Sequence, residues 1–445
     1  MLADGIVQSI LAFVGGAVLT SLGFAWSGWR KAQNRHIRGV VLSSLKNLKK
    51  IMRKKGVLGK LHLDGIPLVK GKETSHMLIA GTNGSGKTNA FHHLLPQIRH
   101  QKAIIVDVTG EMTRRYFDAG RGDILLSPTA EGSTAWNPWL DTRDIFEFRG
   151  MAEAFVGEGS KHDPFWSQAA TECLAAGLEK YKKGGTIKQL SWILTKAPLE
   201  EFCEFFKGTS AAAYADPKGE RTTVSIRSTL AAKVQSLEIM AEEGEGTFSF
   251  REWMGSEREG WLFLTARPDQ REVLCPLISA QLGVAIKSLM QLRPDRDRRV
   301  WFIVDELPAL NKMPSLLTAA TEGRKYGGCL VVGLQDMAQL RTKYSNDEAQ
   351  TLLNQVNTKV FFRFTDAENA QMVAKMLGEK EAGMMRESLS FGANTMRDGV
   401  SLNEQIVKES LVSPTEIASL KDLECFVRLP EDLPVAKHKM SWAGK

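Results

Sequence analysis

Cysteine is scarce and scattered: five in 445 residues (Cys173, Cys203, Cys275, Cys329 and Cys425), an odd number with no C-x-x-C pair. That excludes a disulfide-stapled secreted scaffold and a zinc ribbon, and it predicts reduced, buried thiols. Acidic residues are missing from 30–60, where eleven Lys and Arg occur, and charge of either sign is missing from 6–29. The formal net charge of +7 therefore sits in one short segment, because residues 61–445 carry 47 basic and 50 acidic side chains. A broad positive surface for nucleic acid is excluded, so any such contact has to be local. Internal repeats, low-complexity tracts, HExxH and a serine-triad pattern are all lacking. His92 and His93 are neighbours on a helical stretch and read as ordinary helix residues. What remains is a globular composition, 43% hydrophobic and 24% charged, at a length that suits about two to three domains.

The uncharged run 6–29 is longer than the ~20 apolar residues needed to cross a bilayer. It carries small residues (Gly15, Gly16, Ala17, Gly23) for close packing in lipid, then Trp26 and Trp29 at its end, then Arg30, Lys31, Arg35 and Arg38. This pattern predicts a transmembrane anchor over 1–29, with everything after it in the cytoplasm. A cleaved signal peptide would need a basic start, and this start has Asp4. A buried core helix fits poorly beside the basic run. Residues 30–60 read as a basic juxtamembrane linker. Their second cluster (Lys46, Lys49, Lys50, Arg53, Lys54, Lys55) either lies on anionic headgroups or is plainly solvated.

Short apolar runs at 77–80, 103–108, 261–265, 300–304, 330–333 and 360–364 lack clean alternation, as expected of a parallel sheet covered on both faces. Helical patterns lie between them, which argues for an α/β fold. From 141 to 245 the periodicity is helical throughout, bounded by the turn-rich EGSTAWNP and EEGEGT. The expected division is 61–140 with 246–445 as a nucleotide-binding domain, and 141–245 as an inserted all-α domain.

Gly81, Thr82, Asn83, Gly84, Ser85, Gly86, Lys87 and Thr88 spell G-x-x-x-x-G-K-[ST], after an apolar strand and before a helical stretch. Glycines let backbone N–H groups curl around phosphates, and the helix N-terminus adds its dipole. Lys87 is expected to reach the β/γ-phosphates of ATP, and the Thr88 hydroxyl to bind Mg²⁺. VWFIVDE at 300–306 supplies a second Mg²⁺ ligand in Asp305 and a water-polarising carboxylate in Glu306, which favours hydrolysis over kinase chemistry. Arg324 is the candidate arginine finger, in its own subunit or across an interface. Gln335, just past a strand, is placed to sense the γ-phosphate or orient water. An ordinary surface Arg and a turn Gln are the bland alternatives.

The ordered set of these motifs resembles the type IV coupling proteins of conjugation systems, the TraD/TrwB-like group. The resemblance rests on the anchor, GTNGSGKT, Asp107-Val-Thr-Gly-Glu111, Trp136-Asn137-Pro138, Asp163-Pro-Phe-Trp166 and RTTVSIRSTL at 221–230. It continues through the Asp305-Glu306 pair, Glu322-Gly-Arg324-Lys-Tyr-Gly327, Gly333-Leu-Gln335 and Phe426-Val-Arg-Leu-Pro430. It implies a RecA-like P-loop motor domain with an all-α domain at its entrance, assembled as a homo-hexamer with ATP between subunits. Arg324 would then act on a neighbour's ATP. It also implies transport of single-stranded DNA, with its relaxase or relaxosome proteins, to inner-membrane proteins of a type IV secretion channel. A docking receptor for protein cargo, gated by ATP, is the alternative, and a chromosome translocase a more distant one. Relatives usually show two membrane helices and some carry a long acidic tail. One apolar run and no such tail are seen here, which shifts substrate recruitment toward the helical insert. Lys182-Lys183-Gly184-Gly185 is one candidate DNA-facing turn, against a plain solvated helix end.

Overall fold

The computed structural model describes residues 16, 20–23, 35–157, 159, 163–390 and 399–444. The expected membrane anchor, apart from residues 16 and 20–23, lies outside the described residues. Among those described, the helix long and apolar enough to cross a membrane, Pro268–Met290, is mostly buried inside the body, as a core helix would be.

Fifteen strands are described: β1 (Arg35–Gly39), β2 (Leu42–Ser43), β3 (Leu58–Leu63), β4 (Ile66–Val69), β5 (Met77–Ala80), β6 (Lys102–Asp107), β7 (Ile124–Leu126) and β8 (Leu262–Thr265) come first. β9 (Val300–Val304), β10 (Gly328–Leu334), β11 (Thr358–Phe361), β12 (Glu379–Ser390), β13 (Gly399–Ser410), β14 (Glu424–Arg428) and β15 (Val435–Lys439) follow. Ten of them form one sheet in the order β2-β15-β14-β11-β5-β10-β9-β6-β8-β7. Its interior pairings are parallel, and only β14 pairs antiparallel, with β11 and β15. All six apolar runs read from the sequence are strands of this sheet. β2, β7, β14 and β15 escaped that reading because each is short or mixed in polarity.

The absence of alternation has a physical cause. Side chains of one strand point to opposite faces, and here both faces are covered. Leu78, Ile104, Phe302 and Val332 enter one core, while Ile79, Ile105, Ile303 and Val331 enter the other. The first core is closed by the buried helix Arg271–Met290 and the helices before it, the second by helices Leu45–Lys55, Lys87–Leu94 and Glu111–Tyr116.

Between β7 and β8 the described elements are helices, joined only by a bridge between Trp136 and Phe248. Buried Asp141 holds the two ends of this block together, accepting from Trp136 Nε1 (2.7 Å), Ser249 Oγ (2.7 Å) and the Arg251 N–H (2.9 Å). Near the carboxyl end of the block two helices, Glu220–Lys233 and Gln235–Glu243, are parted at Val234. All five cysteines are free and buried.

The linker expected at 30–60 is corrected by the structure. β1 pairs with β12, β2 with β15, and helix Leu45–Lys55 buries Leu48 and Met52 in the second core. Its lysines alternate with those apolar residues at helical spacing, so the segment is an amphipathic helix of the body.

Candidate nucleotide site

Parallel pairing brings the carboxyl ends of neighbouring strands to one edge, where α/β sheets bind ligands. β5 runs into the phosphate-loop sequence at Gly81, β9 into Asp305 and Glu306, and β10 into Gln335, while β6 ends at Asp107. β10 lies between β5 and β9, so Gln335 stands between Lys87 and Glu306 in the strand order. Gly333 permits this approach, since a Cβ there would sit 1.8 Å from the Asp305 carbonyl oxygen.

The loop is held by its neighbours. The Gly81 N–H donates to Leu334 O (3.0 Å), and the Thr82 N–H and hydroxyl donate to Arg363 O (2.9 and 3.1 Å). Ser85 Oγ donates to Thr82 O (2.6 Å), and Ser85 O accepts from the Leu423 N–H (2.9 Å). Gly86 adopts φ +120°, and a Cβ there would press on Leu423 Cδ2 and Phe362 Cε1, each at 3.0 Å. Only glycine suits both the conformation and the space. Asn83 and Gly84 are exposed at the tip, Thr88 is half-buried, and Lys87 opens helix Lys87–Leu94.

Lys87 is buried, and its Nζ donates to Gly81 O (2.7 Å) and Thr82 O (3.1 Å). Burial lowers its pKa, against the pull of Glu306 and Asp305. Burial likewise raises Asp305 to about 6, with Asp107 adding to the rise and Lys87 opposing it. Glu306 is raised to about 7, again by burial first, with Lys87 opposing and Asp305 adding. Neither Glu306 carboxylate oxygen has a hydrogen-bond partner of good geometry, although the Gln335 amide lies close enough to favour its ionised form. Buried carboxylates without partners mark functional sites.

Asp107 is the residue that sequence reasoning left without a role. It is fully buried and accepts from the Thr113 N–H (2.7 Å), Thr113 Oγ1 (2.9 Å) and the Gly110 N–H (2.9 Å). It fixes helix Glu111–Tyr116 and adds negative charge beside Asp305. Its signals were an apolar run ending in Asp and its place in the Asp107-Val-Thr-Gly-Glu111 motif. Phe362, Arg363 and Leu423, which brace the loop, had none.

Arg324 is not brought to this edge. It lies before β10, at the opposite edge of the sheet, exposed, its side chain without a hydrogen bond or ion pair among the described residues. β10 alone, seven residues, puts about 20 Å between the two edges. The Lys182-Lys183 turn is tied back at Lys182, whose Nζ donates to Arg143 O (2.7 Å).

The comparisons with known proteins agree with one another. The family model described as the type IV secretion-system coupling protein DNA-binding domain matches residues 60–441. The chain belongs to the type IV coupling proteins. This coupling protein is 32% identical over 407 residues to the coupling protein TraD of Escherichia coli, covering 89% of the chain and 57% of TraD. It is 24% identical over 184 residues to protein VirD4 of Rhizobium radiobacter, covering 41% of the chain and 26% of VirD4. The coupling protein thus spans well under two thirds of these relatives. Among solved structures, TrwB lacking its N-terminal region, unbound, and TrwB in complex with ADP and Mg²⁺ each superpose with a TM-score of 0.79. Their identities are 29% and 28%, both cover 92% of the coupling protein, and the matches cover 94% and 95% of those chains. The TrwB-like α/β fold with its large, mostly parallel sheet is therefore that of this chain.

Proposed function

We propose that this chain is a membrane-anchored ATPase that couples ATP hydrolysis to moving single-stranded DNA, with an attached relaxase, into a type IV secretion channel. The observation that carries the reading is the convergence of the phosphate loop, Asp305, Glu306 and Gln335 on one sheet edge. The residues there fit a nucleotide with a divalent cation: a glycine cradle braced by Phe362 and Leu423, one buried lysine, and the unpartnered carboxylate of Glu306 beside Asp305. Thr88 and Asp305 would hold Mg²⁺, which when bound draws charge from the β- and γ-phosphates. Lys87 would grip those phosphates. Glu306, poised near neutrality, would take a proton from the attacking water, and Gln335 would orient that water. Arg324 lies at the sheet edge opposite its own site, which favours a finger supplied to a neighbour in a ring, with the likeness to nucleotide-bound TrwB in support. The body's near-neutral charge suits a pump, because each phosphate contact has to be released in every cycle.

The test is ATPase rate against protein concentration, with and without single-stranded DNA. The expected result is DNA-stimulated turnover that rises more than linearly and is lost in Lys87→Ala and in Arg324→Ala. ATP binding without DNA-stimulated turnover, under conditions where assembly is verified, would replace the motor with an ATP-gated docking receptor for protein cargo.

A further inference from the structure

At the sheet edge away from the phosphate loop, a groove of about 890 Å³ opens between β11, β14 and the helices Asn346–Gln355 and Ala367–Leu377. Lys359 on β11 and Arg428 on β14 face each other in register across the antiparallel pair, and both line the groove. Like charges directly opposite on adjacent strands are destabilising. Lys359 Nζ donates to Val356 O and an Arg428 nitrogen to Met376 O, both backbone carbonyls. Among the described residues, no carboxylate forms an ion pair with Lys359, Arg428 or Lys375, the third such cation on the lining. Two of the three acids on the lining are already committed, Glu368 to Arg341 (3.3 Å) and Glu431 to Lys72 (2.8 Å), and Asp432 is the third. Burial and Arg428 together push Lys359 down to about 8, the direction expected of a cation held without its anion.

The turn joining β14 to β15 borders the groove. Glu431 and Asp432 both adopt left-handed backbone, φ +71° and +45°, costly for residues with a Cβ. Lys55 Nζ clamps their two carbonyls at 3.3 and 3.4 Å. Amide side chains such as Asn354 and Asn357 supply neutral donors and acceptors. One phosphate is far smaller than this volume, and the lining is polar rather than the apolar wall of a small-molecule pocket.

We propose that this groove binds the sugar–phosphate backbone of single-stranded nucleic acid, with Lys359 and Arg428 gripping one phosphate from two strands and Lys375 its neighbour. The proposal rests on the DNA-moving reading above and names a contact surface for it. It also supplies a route between sites. β11 carries Lys359 at the groove, and the residues that follow it, Phe362 and Arg363, brace the phosphate loop.

The test is fluorescence anisotropy of a labelled oligothymidylate of ~20 nucleotides with the full chain in detergent, without nucleotide. The double variant Lys359→Gln/Arg428→Gln is expected to bind at least tenfold more weakly. Its slope of log K against log salt should fall by about 0.7, one phosphate contact on a single strand. Lys359→Arg should bind as the parent does. Lys375→Gln, on an exposed helix face, should lose about 0.7 of slope and decides the question if the double variant fails to fold. Unchanged affinity and slope in the folded variants would overturn the proposal. So would displacement of the oligonucleotide by inorganic pyrophosphate at equal phosphate concentration, which would make this a free-phosphate site. Groove-dependent binding in a chain that never hydrolyses ATP would sink the motor and leave the groove standing.

Discussion

Glu306 is the most exposed to test of the single residues. Its carboxylate is buried, unpartnered and raised to about 7, a poor arrangement for stability and a good one for accepting a proton. Glu306→Gln keeps the volume and removes the base. Hydrolysis should fall by ~10²–10⁴-fold while an ATP analogue still binds, and the thermal midpoint of the nucleotide-free chain should rise. Equal loss of binding and turnover would assign Glu306 a structural role instead. His76 offers a second test, remote from the phosphates. It is buried, with Nδ1 accepting from the Leu330 N–H (3.2 Å) and Nε2 donating to Ala320 O (3.1 Å). Burial lowers its pKa from 6.5 to about 4, and Arg324 nearby adds to the fall, against the Ala320 hydrogen bond. The unfolded chain therefore takes up a proton that the folded chain refuses. The stability due to neutral His76 is full above pH 6.5 and is lost as pH falls toward 4, about 3 kcal/mol over that window. Urea denaturation across it should show a shallower pH dependence in His76→Gln than in the parent.

Helix Leu45–Lys55 is where element and expectation part most sharply. Its charge pattern reads as a linker, but its period of burial is that of a helix lying on a core, capped by Ser44 and closed by Gly56 in the left-handed region. Leu48 is fully buried, so Leu48→Ala should cost about 2–5 kcal/mol in denaturant unfolding. A linker residue would cost almost nothing. The phosphate loop illustrates the opposite case. GTNGSGKT identified itself because its chemistry is carried by residues contiguous in the chain. Its braces, Phe362, Arg363 and Leu423, lie far along the chain in strands and turns that pair only after folding, and no local pattern marked them.

At the scale of the whole molecule, the two sheet edges divide the labour. One gathers Lys87, Asp305, Glu306 and Gln335, and the other presents Arg324. If the finger is supplied in trans, Arg324→Ala mixed with Lys87→Ala should regain activity that neither has alone. An interface needs an intact lysine on one side and an intact arginine on the other. Random mixing of equal amounts restores about a quarter of interfaces in a closed ring. No recovery in mixtures shown to co-assemble would place Arg324 outside the reaction.

The amino-acid sequence by itself determined the phosphate loop, the DE strand, the α/β alternation and the six inner strands. These depend on neighbours within a few residues, or on burial so complete that every side chain of a strand must be apolar. It also carried the order of motifs that marks a coupling protein. Only the tertiary structure decided the strand order, which seats Gln335 between Lys87 and Glu306, gives Asp107 its place beside Asp305, and holds Arg324 at the far edge. It alone turned 35–60 from a linker into part of the body and set Lys359 against Arg428. Register and strand order arise from pairings between residues tens to hundreds of positions apart, and a one-dimensional pattern of polarity does not record which distant strand a given strand will meet.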